Sequence, residues 1–216
     1  MGGASEPDDK KNWLNLGWRK RYAICCRGTF LAIAMASSLD AQFGACLAPG
    51  RCSQEEADLQ PLTMFILRQD TASRITDLIT ISQKDPQRFP CFPFDDFTIL
   101  YVVDSKGQII VAIEEAALPR HSQRSKLFPL PKVLHEEYRT QNPPLYSKLG
   151  HPALVGAQPA RIGGEIRCDF GRKPPGWYIT NGSGRYGVNL GRTPQQLINV
   201  AAEFAKYGIS LTHLFL

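Results

Sequence analysis

The sequence lacks the patterns of a zinc-binding or membrane-spanning protein. Its six cysteines include no Cys-x-x-Cys pair, and its four histidines do not stand at zinc-finger spacing from them, so no metal site is predicted. His135 and Glu136 are adjacent, but no second ligand follows four residues later, so we interpret them as a solvated helix face. No apolar run approaches the roughly twenty residues of a membrane span.

Neither positive nor negative charge is concentrated in one part of the sequence. The formal net charge is +5 over 216 residues, and Lys and Arg are scattered rather than interleaved with aromatic residues, which does not favour nucleic acid as a partner. With 43% hydrophobic and 21% charged residues, the chain can bury a core. We therefore expect a folded protein whose partner is a protein or a small molecule.

The six cysteines are irregularly spaced. Cys46 and Cys52 could close a small ring in an oxidising compartment, but reduced thiols are the simpler expectation for a chain of this size. A basic segment at residues 19–21 before the apolar residues 28–36 is similar to a signal peptide, yet it lies too deep and Arg27 interrupts it. A buried helix accounts for it better.

Composition divides the chain into three parts. Residues 1–12 are polar and are expected to form a mobile arm. Residues 13–97 carry apolar residues in a helical rhythm, and residues 98–216 carry paired apolar runs separated by turn residues. We expect residues 13–216 to form one folded unit, with the hairpin-rich part carrying the site.

Helix signals occur on both sides of the hairpins. Ser53 and Glu56 match a capping box, and three-and-four spacing predicts a helix over residues 61–84. Thr193, followed by proline, predicts the start of a helix that stops at Gly208.

Strand signals dominate after residue 97. The runs 98–103 and 108–113 flank a turn and predict a hairpin. The runs 160–168 and 176–181 predict a second hairpin, and alternation over residues 209–215 predicts a closing strand. The fold class predicted is α+β, with a helical N-terminal half packed on a mostly antiparallel sheet.

The candidate site is the stretch 151–187. It contains His151, then Glu165 in an apolar run, then the tetrad Ser183-Gly184-Arg185-Tyr186 at a strand exit. Loops at strand ends display reactive side chains because the sheet holds them in place.

Residues from about 98 onward resemble a module found in plant IQ-motif calmodulin-binding proteins, fungal proteins and bacterial toxin-like and effector-like proteins. Its pattern is His-Ser-Ser, then Ala-Gly-Glu, then Ser-Gly-His-Tyr, with a helix and a strand to follow. The matching residues here are His151, Leu154, Gly164, Glu165, Ile179, Asn181, Ser183, Gly184, Tyr186, Phe204 and 209–212.

Four positions depart from that pattern. Pro152 and Ala153 stand in place of the two serines, Gly163 in place of the alanine and Arg185 in place of the histidine. Roles that rest on those serines or on that histidine therefore do not transfer to this chain.

The residue types are similar to those of the His-Tyr-Glu class of ADP-ribosyltransferases, which implies NAD as a substrate. In that class the histidine holds a ribose hydroxyl, the tyrosine stacks on nicotinamide, and the glutamate steadies the oxocarbenium-like charge. His151, Tyr186 and Glu165 would take these roles. Arg185 would hold the pyrophosphate. Further predicted NAD contacts are Ser183, Gly184 and Trp177.

The same resemblance implies a setting. It suggests a bacterial effector or toxin that transfers ADP-ribose to a protein of a host or competitor cell, or hydrolyses NAD. Such a protein would be secreted, or cytoplasmic in the producing cell.

Structural roles compete with each assignment. His151 could cap a strand, the Ser183-Gly184 pair could be only a turn, and Glu165 could pair with Arg161, Arg167 or Arg185, because a buried carboxylate needs a partner.

Two other functions also fit the residues. A non-catalytic module could bind a protein through Trp177, Tyr178, Tyr186, Arg172 and Arg185, which are common hot-spot types. A hydrolase could use Cys168 with His151.

Overall fold

The computed structural model describes residues 38–84, 97–118, 126–135, 145–169, 171 and 176–216. Contacts separate Met1–Ser38 from Leu39–Leu216, and the elements named below belong to the second of these units. The arm predicted at residues 1–12 and its boundary lie outside the described residues.

The described residues form nine strands in two sheets. They are β1 (Phe65–Ile66), β2 (Ile99–Asp104), β3 (Ile109–Ile113), β4 (Glu115–Ala117), β5 (Leu127–Pro129), β6 (Ser147–Leu149), β7 (Ala160–Asp169), β8 (Gly176–Thr180) and β9 (Thr212–Leu214). The larger sheet has the order β1-β3-β2-β7-β8-β9, and the smaller has the order β5-β4-β6. Every neighbouring pair is antiparallel except β8 and β9, which are parallel.

Three α-helices and one 3₁₀ helix are described over their whole length, and residues 38–43 and 132–135 are also helical. The four complete helices are α1 (Gln54–Asp58), α2 (Ser73–Lys84), α3 (Pro194–Ala205) and the 3₁₀ helix His151–Val155. Both α1 and α3 begin with a capping box, formed by Ser53 with Glu56 and by Thr193 with Gln196. Each box satisfies backbone N–H groups that the first turn leaves without helical partners.

The larger sheet carries a different core on each face. Alternate residues of a strand point to opposite faces, so Tyr101 joins a main core with Phe204 of α3, while Leu100 and Val102 join a second core with Leu154 of the 3₁₀ helix. The 3₁₀ helix thus lies on the face opposite α3, and this second face carries the candidate site.

The fold is α+β, as predicted. Both predicted hairpins form, as β2–β3 and β7–β8, and the helix predicted after Thr193 begins at Pro194. The prediction of one helix over residues 61–84 was wrong for its first half, because Phe65 and Ile66 pair with β3 as an edge strand. The helical character predicted for residues 13–37 lies outside the described residues.

In the part of the chain that the structure describes, no helix is long and apolar enough to traverse a bilayer.

Candidate functional site

A polar cavity of about 410 Å³ opens on the second face of the larger sheet, within the usual size of small-molecule sites. Its charged and titratable lining residues are Glu56, Glu114, Lys148, His151, Glu165 and Arg185, and its glycines are Gly150, Gly182 and Gly184. Four of the residues predicted from the sequence, His151, Glu165, Gly184 and Arg185, therefore line one cavity.

Three ion pairs surround this cavity, and in each the carboxylate is less exposed than the cation. Lys148 Nζ lies 2.8 Å from Glu114 Oε1, with side chains 34% and 5% exposed. Arg185 lies 3.4 Å from Glu56, and the two side chains are 37% and 6% exposed respectively. Arg167 pairs with Glu165, and these side chains are 44% and 17% exposed respectively. The carboxylates therefore form the floor, while Lys148 and Arg185 extend towards solvent.

Glu165 is held on β7, opposite Leu100 of β2. Arg167 Nε donates to Glu165 Oε2 at 2.6 Å, so the partner is Arg167, one of the three arginines that the sequence left open. Arg161 instead binds Asp40 and the carbonyl of Gly44. Since Arg167 lies on the solvent side, Glu165 remains part of the cavity lining.

Glu114 lies between β3 and β4 and was missed by sequence reasoning. Burial would raise the pKa of its carboxyl group, but His135 and Lys148 outweigh burial and hold the pKa below its ordinary value. His135 Nε2 lies 3.1 Å from Glu114 Oε2, but the two atoms do not meet the geometry of a hydrogen bond. Glu114 is thus an ionised carboxylate on the floor of the cavity.

Glu56 was predicted only as part of a helix cap. Its carboxylate accepts the backbone N–H of Ser53 at 2.9 Å and that of Gly150 at 3.3 Å. The same group pairs with Arg185. One side chain therefore caps α1, holds the start of the 3₁₀ helix and orients a cation at the cavity mouth.

His151 opens the 3₁₀ helix and is buried. Its Nε2 lies 3.0 Å from the carbonyl oxygen of Gly164, which can only accept, so Nε2 carries the proton. Burial lowers the pKa of His151, and the ring is neutral near pH 7. In this structure the imidazole connects the 3₁₀ helix to β7.

The Ser183 to Tyr186 tetrad forms a turn whose residues separate into two groups. The Ser183 hydroxyl oxygen accepts the N–H groups of Arg185 at 3.4 Å and Tyr186 at 3.1 Å. The Tyr186 hydroxyl donates to the carbonyl of Gln158 at 2.8 Å, and its ring lies in the second core. Ser183 and Tyr186 therefore support the turn, while Gly184 and Arg185 face the cavity.

The predicted stacking role of Tyr186 is corrected by this placement. The ring is fully buried, and burial raises the pKa of its hydroxyl. Both its ring faces and its hydroxyl are taken up by the fold, so it cannot stack on a ligand in the cavity.

Trp177 does not join the cavity, contrary to its predicted ligand contact. It is 4% exposed and lies in the main core, on the other face of the sheet. Its indole N–H donates to the Ser82 hydroxyl at 2.9 Å. The alternation of β8 places Trp177 with Ile179 and not with the cavity.

The described cysteines are Cys46, Cys52 and Cys168. Cys168 packs against the main core, on the face opposite His151, which separates the pair suggested for a hydrolase. Cys46 and Cys52 are not joined in a disulfide. Among the described residues, no group of three His, Cys, Asp or Glu side chains is arranged to hold a metal ion.

Comparison of the chain with protein-family models, curated proteins and solved structures gives no match. The resemblance to the IQ-motif, fungal and toxin module stays a prediction from the residues quoted above.

Proposed function

We propose that the protein binds NAD and cleaves its bond to nicotinamide, passing ADP-ribose to a protein or to water. The observation that supports this best is the arrangement of the three ion pairs. The cavity has carboxylates on its floor and two cations at its mouth. NAD has the complementary distribution, since its nicotinamide ring is cationic and its diphosphate is anionic.

The charge distribution suggests an orientation. The nicotinamide riboside end would enter towards Glu114 and Glu165, because a cation is stabilised by ionised carboxylates in a site of low dielectric constant. The diphosphate would lie between Lys148 and Arg185. Guanidinium matches phosphate oxygens in a two-point geometry, and lysine supplies a point charge.

Glu165 is the proposed catalytic residue. When nicotinamide leaves with the bonding electron pair, positive charge develops on the ribose, and a fixed carboxylate stabilises that charge more than it stabilises the ground state. The electron-deficient carbon is then attacked by water or by a nucleophile of a protein substrate. His151, Ser183 and Tyr186 would position the walls of the cavity.

The biological setting is part of the same proposal. A bacterial effector or toxin, secreted or held in the cytoplasm of the producing cell, would use this activity to modify a host or competitor protein, or to consume NAD. The alternative, a protein-binding module, loses two of its proposed anchors, because Trp177 and Tyr186 are buried. A module of that kind would show no turnover.

The proposal predicts release of nicotinamide when the purified protein is mixed with NAD. Glu165→Gln should lower the rate about a hundredfold or more. Its stability should fall by less than about 1 kcal/mol, because Arg167 is 44% exposed and stays hydrated after the loss of its partner. Nicotinamide is measured by chromatography, and unfolding is measured on the same preparation.

Glu203→Gln is the matched control. Glu203 lies on α3, on the face of the larger sheet opposite the cavity. Its side chain is 22% exposed, pairs with exposed Lys206 just after the helix, and accepts a hydrogen bond from Gln42. The variant should keep full activity with a similar small loss of stability. No nicotinamide release by the unmodified protein, either in buffer or in lysate with candidate targets, would reject the proposal and favour the binding module.

A further inference from the structure

The amide side chain of Asn181 holds the backbone of Leu216. Asn181 Oδ1 accepts the Leu216 N–H at 2.7 Å, and Asn181 Nδ2 donates to the Leu216 carbonyl at 3.4 Å. Asn181 is fully buried. This two-point contact fixes Leu216 in the way that a neighbouring strand would.

The path of the chain brings Leu216 beside the cavity. β9 runs parallel to β8 with Leu214 opposite Thr180, so residues 215–216 continue past the end of β8. Gly182, which follows that end, lines the cavity.

Leu216 and Glu165 share one side of Gly182. A methyl group placed on the Gly182 α-carbon would lie 3.4 Å from Leu216 Cδ1 and 3.5 Å from Glu165 Cδ. Any side chain at position 182 would therefore contact both residues. With glycine there, Leu216, a residue that is 57% exposed, and Glu165, which lines the cavity, both lie against position 182.

We propose that Leu216 is a specificity-determining residue, whose side chain forms the apolar wall on which the flat ring of the leaving group packs beside Glu165. This rests on the proposed function. An aromatic cation needs an apolar surface for the face of its ring as well as a carboxylate for its charge, because removing apolar ring surface from water stabilises the complex. Tyr186, which was predicted to stack on nicotinamide, and Trp177, which was predicted as a further NAD contact, are both buried in the cores of the fold.

The inference is tested with 1-methylnicotinamide, a small cationic form of the leaving group, in a methyl NMR titration of the full chain. A ring packed on Leu216 should shift its methyl resonances upfield in a saturable way. Leu62, which is 77% exposed and lies just before β1, at the opposite edge of the larger sheet from β9, is the control methyl and should not shift. Leu216→Met identifies the resonance.

Leu216→Ala supplies the second measurement. Its backbone contacts with Asn181 are kept, so the fold should be intact, while affinity for 1-methylnicotinamide and kcat/KM for NAD should each fall about fivefold to tenfold. Leu216→Met, which retains an apolar side chain of similar volume, should recover most of both.

The outcomes separate the two proposals. Two results would reject the role of Leu216 and leave the proposed NAD cleavage standing. One is binding that shifts the Gly182 resonances but not the Leu216 methyl resonances. The other is an unchanged affinity for 1-methylnicotinamide in Leu216→Ala. Saturable shifts at Leu216 without nicotinamide release from NAD support the wall and reject the proposed reaction. No perturbation at any residue overturns the wall, and nicotinamide release then decides the reaction by itself.

Discussion

At the scale of single residues, most residues of the recognised sequence pattern are not among the charged residues that line the cavity. His151, Ser183 and Tyr186 all form hydrogen bonds with backbone groups. Glu165 belongs to both sets, being a motif residue whose carboxylate reaches the cavity. The motif residues thus shape the cavity, and the proposed chemistry depends on Glu165 together with charged residues outside the pattern.

His151 gives a prediction about pH. Its pKa in the folded protein is lowered by burial from an ordinary value of 6.5, so in mild acid the unfolded chain binds a proton that the folded chain does not. Stability is then fully present above pH 6.5 and falls as the pH drops below it, by at most about 1.4 kcal/mol per pH unit from this group. His151→Gln keeps a donor for Gly164 and should flatten that slope.

Urea unfolding at several pH values between 5 and 8 measures the effect. His213→Gln serves as the control, because His213 is exposed in β9, and it should leave the slope unchanged. Equal slopes for His151→Gln and the unmodified protein would show that His151 does not contribute.

The sequence predicted those cavity-lining residues that local strand pairing brings together, and it did not predict those that distant packing brings to the cavity. His151, Glu165 and Arg185 lie in or beside one hairpin, so local pairing brings them together. Glu114 and Glu56 reach the cavity only through the packing of distant elements, and nothing in their local sequence specifies that. Trp177 could have been assigned correctly, since it alternates with Tyr178 and shares the core face with Ile179.

At the scale of elements, the capping box of α3 predicts a measurable contribution. Thr193→Ala removes the oxygen that accepts the Gln196 N–H, and it should cost about 1 kcal/mol of stability. Thr80→Ala is the control. Thr80 is exposed within α2 and bonds only the carbonyl of Thr76, so its loss should be neutral or slightly stabilising. Equal losses in the two variants would contradict a capping role.

Elements with strong local signals were predicted well. Turn residues fixed the β2–β3 hairpin and the cap fixed α3, because both depend on neighbours in sequence. The wrong helix prediction at residues 61–72 shows what local sequence patterns cannot predict. Phe65 and Ile66 fit a helical spacing, but pairing with Val111 and Ile110 satisfies their backbone groups at a sheet edge, and that contact is invisible to local periodicity.

At the scale of the whole molecule, two adjacent glycines in β7 show how closely this strand approaches the neighbouring backbone. A methyl group on Gly164 would overlap the carbonyl of Thr180, whereas one on Gly163 would lie 3.2 Å from the Tyr101 carbonyl and from Tyr186 Cβ. We expect Gly164→Ala to cost about 3 kcal/mol or more and Gly163→Ala about 1 kcal/mol. Chemical unfolding of both variants measures this, and a reversed order would contradict the described packing of β7 against β8.

The cavity draws its lining from residues that lie more than a hundred positions apart, from Glu56 to Arg185. Closing such long loops costs entropy before any contact is gained, which slows folding and delays distant contacts. We therefore expect the complete cavity to form late in folding, after the local hairpins and helices. A ligand of the cavity would slow unfolding and leave the folding rate nearly unchanged, since it recognises a surface absent from the transition state.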